Sequence, residues 1–594
     1  MSLLRKKRIF YLLLSFAAVL GLFALRIAWI QTTSAFRAVT VGGKTINELA
    51  VRQREESIEL DPGRGHIFDR NGKALTGEIA WTPILFPVRR LPEDSQLTAL
   101  ATVLKTTVPE LRSTWERLER PYVWPKPGGE SGQPLRLDEA TAHTLPRIEG
   151  LEVLPYMARY GPGDRGNQWL GFVTQRPDVI RKLREHKHQP DYAMTLQVGA
   201  AGLEKTLDGF LRGLGGVRAA YTVDGRKDPL GGMGTRVNAN TSRYYPLQIQ
   251  TTIDDVLQQK LERLAVKLNV TEGAVVVLDV KTADIVSMVS LPFYDPHHVD
   301  PALENWGNKA VKAFAPGSIF KTVIAAAALE EHVTAPGEVF HCNGQYGKYG
   351  LSCWKEGGHG NLTLEEGFAK SCNVVFATLG ERLNADVIAR TAAKLGIGRS
   401  IGWRDPAFLG GDVLRPLDQE EAGALFSNPA AVDGGVLAQT AIGQRDVLVS
   451  PLQAANLVVT LLHGGQVKAP RLVREIRYKD GSLLSDLPVQ ASPSSAGQIH
   501  PQTANRLLSW MRLVVTDGTG RTLQQAKWPL AGKSGTAEVL KNNEQRNNQW
   551  FIGYGPVDRP QYAVAVLVQN RPKGSKHLAA ELFRRTMDVL ASQG

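Results

Sequence analysis

Residues 315–321 read Ala-Pro-Gly-Ser-Ile-Phe-Lys and open a long apolar run that continues to Glu330. Proline and glycine directly before an apolar segment predict the start of a helix. Ser318 would then lie on the first turn, where free backbone N–H groups and the helix dipole favour negative charge. Lys321 follows three residues later on the same helix face. The segment therefore predicts a nucleophilic serine beside a lysine.

The surroundings of Lys321 suggest how that serine would be activated. They are apolar, and burial away from water lowers the pKa of a lysine. A neutral Lys321 could then accept the proton of Ser318. Ser-x-x-Lys alone is a weak signal, because Ser352 and Lys355 have the same spacing. That second copy lies beside three glycines and a histidine, a composition typical of a loop rather than of an apolar helix. Ser318 is therefore the candidate nucleophile.

A second polar pattern, Ser371-Cys372-Asn373, is the only Ser-x-Asn of the chain and precedes another apolar run. The Ser371 hydroxyl could relay a proton from the base to a leaving amine. The Asn373 amide could bind a peptide carbonyl and hold the lysine. By itself the pattern is more typical of a helix N-cap, where serine and asparagine are common.

A third pattern, Lys533 to Gly535, is the only Lys-Ser/Thr-Gly of the chain and precedes two predicted strands. On a strand edge Gly535 would let a substrate peptide approach as an added strand. Lys533, Ser534 and Thr536 supply donors suited to a terminal carboxylate. The N–H groups of Thr536 and Ser318 could form an oxyanion hole. A polar hairpin loop is the alternative interpretation.

The three motifs, in this order, resemble those of penicillin-binding proteins and serine β-lactamases. The whole chain resembles a class B high-molecular-weight penicillin-binding protein, a peptidoglycan D,D-transpeptidase. The likeness includes segments that look like the transpeptidase domain at 308–310, 443–444, 450–453, 517–520 and 550–554, and segments similar to the non-catalytic pedestal at 64–72 and 199–204.

The resemblance implies an α/β fold in which the antiparallel sheet of the transpeptidase domain is split by a helical insert. An elongated α+β pedestal and one N-terminal transmembrane helix would precede it. Strand patterns on both sides of a mostly helical stretch, about 315–525, agree with this arrangement. The expected divisions are a cytoplasmic tail (1–8), a membrane anchor (9–30), a dimerisation-like pedestal (31–240) and the transpeptidase domain (241–594).

The resemblance also implies the reaction. Ser318 would attack the penultimate D-alanine carbonyl of a cell-wall stem peptide, the terminal D-alanine would leave, and an amine of a neighbouring peptide would resolve the acyl-enzyme. A carboxypeptidase side activity is compatible with this chemistry, and β-lactams would acylate Ser318 as mimics. No metal or organic cofactor is expected. The expected partners are stem peptides, β-lactams, the membrane and wall-synthesis proteins that include a glycosyltransferase.

The N-terminus predicts a membrane anchor. Basic residues 5–8 precede the apolar stretch 9–30, which is long enough as a helix to cross a bilayer. The positive cluster predicts a cytoplasmic N-terminus and an extracytoplasmic catalytic domain. A cleaved signal peptide is the alternative, but the apolar run is longer than usual and 33–35 is a poor cleavage site.

The net charge of the chain is +12, and apart from residues 5–8 its basic residues are scattered along the sequence. Nucleic-acid binding is therefore not expected.

Other classes of protein that share these motifs differ from this chain in the domains that accompany them. A β-lactamase would need neither pedestal nor anchor, and a β-lactam sensor would need a cytoplasmic output domain larger than eight residues. A class A enzyme would carry a glycosyltransferase domain, and no acidic motif typical of one occurs. A catalytically dispensable scaffold of a wall-synthesis complex is disfavoured by the intact motifs. A role in division, elongation or sporulation, the stem-peptide chemistry, the partners and the oligomeric state stay open.

The three cysteines, Cys342, Cys353 and Cys372, are too few for a disulfide scaffold. Three interpretations stay open. All three could be thiols with packing roles. A zinc site could form from Cys342, Cys353, His341 and His359, although the spacing matches no common pattern. A disulfide could join Cys353 to Cys342 or to Cys372, and the latter bond would tie the Ser-x-Asn motif to the preceding loop.

Overall fold

The computed structural model describes residues 3–33, 54–128, 133–161, 165–185, 194, 196–230, 234–239, 242–335 and 337–593. The chain forms two compact units. One comprises Met1–Pro62, Ile79–Ala158 and Gly215–Thr241, and the other comprises Gly63–Glu78, Arg159–Leu214 and Ser242–Gly594. The units interleave along the chain, so the functional boundary expected at residue 240 stays a prediction.

A single long helix, Leu3–Thr33, lies at the N-terminus. Its segment Arg5–Trp29 has a mean hydropathy of 2.1, and no part of it is buried against the rest of the protein. An apolar helix with no protein cover on any face is stable where another apolar medium surrounds it. The helix therefore fits a single membrane span and contains the predicted stretch 9–30.

The first unit contains two small sheets, each of three strands. Three helices of this unit accompany the sheets, and the buried side chains of two of them, including Leu97, Leu111 and Trp115, fill a core. This mixture agrees with the α+β pedestal of the sequence prediction. The strands are Glu55–Asp61, Val217–Thr222 and Arg236–Asn238 in one sheet and Tyr122–Val123, Glu78–Leu85 and Leu151–Ala158 in the other; the helices are Asp94–Leu104, Val108–Glu116 and Glu139–Thr144.

The second unit is built on a five-stranded antiparallel sheet. Both faces of the strand Gly273–Asp279 are buried, and this is why its sequence is continuously apolar. Val276 packs into the core on one face, whereas Val275 and Val277 pack into the core on the other. A strand covered on both faces needs no polar alternation. The order across the sheet is Ile285–Leu291, Gly273–Asp279, Tyr562–Pro572, Glu544–Gly555 and Ala531–Lys541.

The predicted helical insert lies between the second and third of these strands in chain order. One of its helices, Pro451–Leu462, begins at a capping box in which Ser450 and Gln453 satisfy each other's backbone N–H groups. The same segment was singled out by the family resemblance, and its role is to start this buried helix. The helices of the unit that follow residue 250 are Asp255–Lys267, Lys321–Glu330, Leu364–Ala369, Asn373–Arg382, Ala385–Lys394, Gly434–Ala441, Pro451–Leu462, Pro501–Thr516 and Leu578–Leu590.

Smaller sheets and short helices also belong to this unit. A four-stranded sheet has the order Leu483–Asp486, Val473–Arg477, Gln248–Thr251 and His66–Phe68, and its last pair is parallel. Two-stranded pieces are formed by Phe340–Cys342 with Gly360–Leu362 and by Val173–Gln175 with Gln197–Gly199. Short helices span Pro177–Glu185, Gly202–Thr206 and Asp208–Leu211. Segments from the N-terminal half of the chain are thus part of the second unit.

A buried ion-pair cluster joins the two pedestal-like motifs of the sequence. Arg64 donates to Glu204 at 2.7 Å and to Asp208 at 2.7 Å, and Arg159 donates to Glu204 at 2.6 Å. Burial acts to raise the pKa of Glu204, but the charges of Arg159 and Arg64 outweigh it and hold that pKa below its usual value. The carboxylate is therefore an ionised anchor for segments 140 residues apart.

Candidate active site

The turn that carries Ser318 lies directly before the predicted helix. Gly317–Phe320 form a short 3-10 helix, and the α-helix Lys321–Glu330 follows without a break. Gly317 has a φ of 54°, and a Cβ there would lie 2.2 Å from the carbonyl oxygen of Thr536. Only glycine fits at this approach. Ser318 is partly exposed between buried neighbours, so its side chain is the accessible one of the turn.

Lys321 is fully buried, as its apolar surroundings predict. Its Nζ donates to the carbonyl oxygen of Ser371 at 2.8 Å, to Asn373 Oδ1 at 2.8 Å and to Ser371 Oγ at 3.4 Å. Burial lowers the pKa of Lys321 to about 7, against a weaker opposing effect of Cys372 and Cys353. A substantial fraction of this amine is therefore neutral near pH 7.

Ser371 does not cap a helix. The helix Asn373–Arg382 has Cys372 at its N-cap position, with no side-chain capping bond, and Ser371 precedes it with a left-handed φ of 55°. The Oγ of Ser371 lies 2.9 Å from Lys533 Nζ. This hydroxyl thus bridges the amines of Lys533 and Lys321, and the N-cap interpretation of the motif is wrong.

Asn373 is held at both ends of its amide. Its Oδ1 accepts from Lys321, and its Nδ2 donates to the carbonyl oxygen of Ser352 at 3.0 Å. The loop around Ser352 also contributes Trp354, whose indole Nε1 donates to the carbonyl oxygen of Ser371 at 3.1 Å. The predicted contact with the lysine is present, and the contacts from the Ser352 loop were not expected from the sequence.

Lys533 lies on an edge strand rather than in a hairpin loop. The strand Ala531–Lys541 is the last in the order of the five-stranded sheet, and Lys533 is fully buried. Its Nζ also donates to the carbonyl oxygen of Ser534 at 3.0 Å. Burial and the positive charge of Lys321 hold the pKa of Lys533 well below its usual range. Two adjacent cationic amines would repel, which favours a neutral lysine in the pair.

The remaining residues of this strand face the opening of the site. Thr536 is exposed, and Ser534 is partly exposed with its hydroxyl 2.7 Å from Thr519 Oγ1. A Cβ at Gly535 would lie 2.8 Å from the carbonyl oxygen of Pro316. The close approach predicted at Gly535 is therefore made by this chain's own backbone. Thr519 also contacts the site, although the sequence marked it only as part of the family-like segment 517–520.

Gly443 and Gln444, one of the segments that resemble the transpeptidase domain, support the nucleophile turn. The Gly317 N–H donates to the carbonyl oxygen of Gly443 at 2.9 Å. Gly443 has a φ of 74°, and a Cβ there would lie 1.9 Å from the carbonyl oxygen of Gly317. Gln444 Nε2 lies 3.5 Å from the carbonyl oxygen of Thr536. The turn is thus held between this pair and the edge strand.

The three cysteines converge beside the site as free thiols, without the disulfide that was one interpretation. The ligand set named for a zinc site changes in one member. His341 turns away and bonds Asn361 Oδ1 through its Nδ1 at 2.9 Å. Cys372 takes its position in the cluster, beside His359 and the other two thiols. A metal ion was not expected at this site, and these four side chains are the ones that could hold it.

Two family models together match most of the chain. Residues 273–588 match the family model described as penicillin binding protein transpeptidase domain, and residues 59–242 match that of the penicillin-binding protein dimerisation domain. Stage V sporulation protein D of Bacillus subtilis is 28% identical over 589 residues, covering 96% of this chain and 82% of the relative. The peptidoglycan D,D-transpeptidase MrdA of Haemophilus influenzae is 26% identical over 612 residues, covering 94% and 89%.

Two solved structures are similar over most of the chain. One is a chain from the structure described as "Structural coordination of polymerization and crosslinking by a peptidoglycan synthase complex". Its TM-score is 0.67 at 25% identity, and the match covers 98% of this chain and 97% of that chain. The other, penicillin-binding protein PBP2 in complex with MreC from Helicobacter pylori, has a TM-score of 0.62 at 20% identity, covering 91% and 99%. The second likeness concerns the fold alone.

Proposed function

The chain belongs to the penicillin-binding proteins, as a class B member with a dimerisation and a transpeptidase domain, and we propose that it cross-links peptidoglycan stem peptides through an acyl-enzyme on Ser318. The observation that carries this proposal is the hydroxyl of Ser371 between two buried lysines, one of which follows the accessible Ser318 by three residues. This arrangement supports a reaction in which protons move among these groups.

The first step is acylation. Lys321, with its pKa lowered to about 7 by burial, is the base that accepts the proton of Ser318. The Ser318 oxygen attacks the carbonyl of the penultimate D-alanine, and the bond to the terminal D-alanine breaks. The relay runs from Lys321 to the leaving amine through the Ser371 hydroxyl, which is within reach of both lysines.

Groups of the nucleophile turn and of the edge strand bind the substrate in this proposal. The backbone N–H groups of Ser318 and Thr536 stabilise the oxyanion. The hydroxyls of Ser534 and Thr536, together with Lys533, receive the terminal carboxylate. The exposure of Thr536 and the hydrogen bond between the Thr519 and Ser534 hydroxyls support this role, because they place oriented polar groups at the opening of the site.

The second step transfers the acyl group. A neutral amine from a neighbouring stem peptide attacks the ester carbonyl in place of the departed D-alanine, and the same base accepts a proton from its nitrogen as the new bond forms. That proton passes to the Ser318 oxygen as the ester bond breaks, which restores the free serine. Water in place of the amine would give carboxypeptidase activity. Lys321 and Ser371 therefore serve both steps, as microscopic reversibility requires of one proton path.

The protein is proposed to act outside the cytoplasm. The apolar helix Leu3–Thr33 anchors it, the basic residues 5–8 keep the N-terminus in the cytoplasm, and the rest of the chain lies on the other side. Its partners are other wall-synthesis proteins, including a glycosyltransferase. The likeness to a chain from a peptidoglycan synthase complex supports this assignment.

A single measurement tests the proposal. The full-length protein in detergent is incubated with a synthetic stem peptide ending in D-Ala-D-Ala and with an acceptor amine. We expect release of D-alanine, a product joined to the acceptor and an acyl adduct on the peptide that contains Ser318. Ser352→Ala is the matched control, because Ser352 begins the other Ser-x-x-Lys and lies exposed in a loop. An adduct that survives in Ser318→Ala contradicts the assignment.

A further inference from the structure

One histidine that the proposed reaction does not use contacts the edge strand of the site. His577 lies directly before the helix Leu578–Leu590, and its Nδ1 accepts the backbone N–H of Ala580 at 3.2 Å. Its Nε2 lies 3.2 Å from the carbonyl oxygen of Gly535, on the edge strand. One imidazole ring therefore caps a helix and contacts the strand that borders the active site.

These two contacts fix the protonation state of the ring. A backbone N–H can only donate, so Nδ1 of His577 must present a free lone pair. A carbonyl oxygen can only accept, so the ring hydrogen lies on Nε2 and points at Gly535. Burial lowers the pKa of His577, against an opposing effect of the bond to Gly535, and the positive charge of Lys533 adds to the lowering. The neutral ring with its hydrogen on Nε2 satisfies both contacts.

The carbonyl that His577 contacts belongs to the peptide group whose N–H is the proposed oxyanion donor. The C=O of Gly535 and the N–H of Thr536 are the two ends of one planar unit, and in a trans peptide they point in opposite directions. A carbonyl oxygen can accept two hydrogen bonds, so the histidine contact is compatible with strand pairing on the same side. A donor at the Gly535 oxygen therefore acts directly on the Thr536 N–H.

The other end of this peptide group faces the nucleophile turn. The carbonyl oxygen of Thr536 lies so close to Gly317 that a Cβ added there would be 2.2 Å from it. In a strand the N–H and the C=O of one residue point to the same edge. The Thr536 N–H is therefore directed to the side of the turn that carries Ser318, and His577 approaches the peptide group from the opposite side.

A buried glutamine holds the histidine in place. Gln549 lies opposite Thr536 on the neighbouring strand of the sheet. Its Oε1 accepts from the backbone N–H of Leu578 at 2.7 Å, and its Nε2 donates to the carbonyl oxygen of Lys576 at 3.1 Å. The backbone on both sides of His577 is thus bonded to the residue paired with Thr536, which fixes the ring relative to the edge strand.

We propose that His577 is a positioning residue of the active site, which donates from Nε2 to the carbonyl of Gly535 and so orients and polarises the Thr536 N–H toward the oxyanion. A hydrogen bond at one end of a peptide group strengthens the donor at its other end, by roughly 10–30% per bond. The ring stays neutral and transfers no proton. This inference rests on the proposed function, because it requires acyl transfer at Ser318.

Two substitutions separate this role from helix capping alone. In His577→Asn the amide oxygen takes the place of Nδ1, so it still accepts from Ala580, and asparagine is a favoured N-cap residue. The shorter side chain does not reach Gly535. In His577→Gln the amide nitrogen takes the place of Nε2 and donates to Gly535, whereas glutamine is not a favoured N-cap residue. Each variant therefore keeps one of the two contacts.

The experiment labels the full-length protein in detergent with fluorescent penicillin over a range of concentrations, which separates non-covalent affinity from the acylation rate constant. Loss of one oxyanion donor slows a reaction about 10²–10³-fold, and 10–30% of that effect on a logarithmic scale is about two- to eightfold. We expect His577→Asn to lower the rate constant by this factor, with the affinity and the Tm unchanged.

The second variant should give the opposite pattern. We expect His577→Gln to acylate at close to the parent rate and to lose about 2 °C in Tm, because it lacks the helix cap. His500→Asn is the matched control and should change neither quantity. His500 also precedes a helix, but its side chain makes no capping bond and is exposed.

A spectroscopic readout examines the oxyanion donors directly. The infrared stretch of the ester carbonyl is measured in the acyl-enzyme formed with an isotope-labelled penicillin. A weaker hydrogen bond to this carbonyl raises its frequency, so the frequency should rise in His577→Asn and stay at the parent value in His577→Gln. A change confined to helix capping would not produce this difference between the two variants.

Other results overturn the proposal. Parent-like acylation and ester frequency in His577→Asn would show that the histidine only caps the helix. Equal slowing in both variants would show a general disturbance of the strand. Should His577→Asn fail to fold, His577→Ser takes its place, since serine is a favoured N-cap residue that does not reach Gly535. A parent protein that is never labelled at Ser318 would instead overturn the proposed function, and this inference with it.

Discussion

Lys533 Nζ lies 2.9 Å from Ser371 Oγ, although the two residues are 162 positions apart and belong to an edge strand and to the segment before a helix. The same hydroxyl is 3.4 Å from Lys321 Nζ. Both amines are fully buried, so the charge of each raises the cost of charging the other. The two amines and the hydroxyl between them are therefore electrostatically coupled.

The first prediction concerns Lys321. Lys321→Arg keeps a positive charge but removes the ability to become neutral. We expect the rate of acylation by fluorescent penicillin to fall by at least about 10²-fold, the lower range for the loss of a general base. Lys355→Arg is the matched control, since Lys355 ends the other Ser-x-x-Lys and is exposed. Near-normal labelling of the Lys321 variant would exclude this base.

The second prediction is a pH profile. Burial lowers the pKa of Lys321 to about 7, and only its neutral form accepts the serine proton. The acylation rate should therefore rise with pH through about 7 and level off above it. Stopped-flow labelling from about pH 5 to about pH 9 measures this, with circular dichroism as a check that the protein stays folded. A rate that falls through this range would have the wrong sign for a lysine base.

The third prediction concerns Thr519, the residue that sequence motifs did not single out as a site residue. Thr519→Val removes the hydroxyl that bonds Ser534 Oγ at 2.7 Å. We expect acylation by carboxylated β-lactams to slow roughly fivefold, which corresponds to one hydrogen bond of about 1 kcal/mol. A β-lactam with an esterified carboxylate should show no such difference. Thr516→Val, near the same helix end and exposed, is the control.

The fourth prediction concerns the support of the nucleophile turn. Gly443→Ala would bring a Cβ within 1.9 Å of the carbonyl oxygen of Gly317, so the turn must shift and acylation should fall at least about tenfold. Gly481→Ala is the control, because it introduces the backbone strain of a left-handed φ without a steric clash. Gly481 has a similar φ of 85°, with nothing within 4 Å of an added Cβ. Its variant should cost about 1–2 kcal/mol of stability and leave acylation intact. Equal acylation in the two variants would contradict this role of Gly443.

Much of the sheet could be predicted because its central strands have a simple physical signature. Gly273–Asp279 is covered on both faces, and its continuous apolar run ends at a turn, so the sequence predicts its bounds. Ala531–Lys541 lacks that signature. It carries two glycines and a buried lysine at the catalytic end, and its strand conformation depends on pairing with Glu544–Gly555.

The site contacts that were not predicted from the sequence are hydrogen bonds between residues well separated along the chain. Thr519 reaches Ser534 across 15 positions, and Trp354 reaches Ser371 across 17. Neither contact leaves a local pattern. The zinc set predicted from the sequence illustrates the same limit. His341 is next to Cys342 in sequence, but successive side chains of a strand point to opposite faces, so His341 is exposed while Cys342 is buried.

The strand His66–Phe68 has a consequence for how the molecule is made. It pairs in parallel with Gln248–Thr251, which the ribosome adds about 180 residues later at a rate of about 5–20 residues per second. For roughly ten seconds or more the strand His66–Phe68 has no partner in the sheet. Glu204 is synthesised 140 residues after Arg64, so their ion pair is delayed almost as long. Any fragment that starts after residue 240 never receives this strand. Such a fragment should expose a bare sheet edge and aggregate unless residues 63–78 and 159–214 are supplied with it.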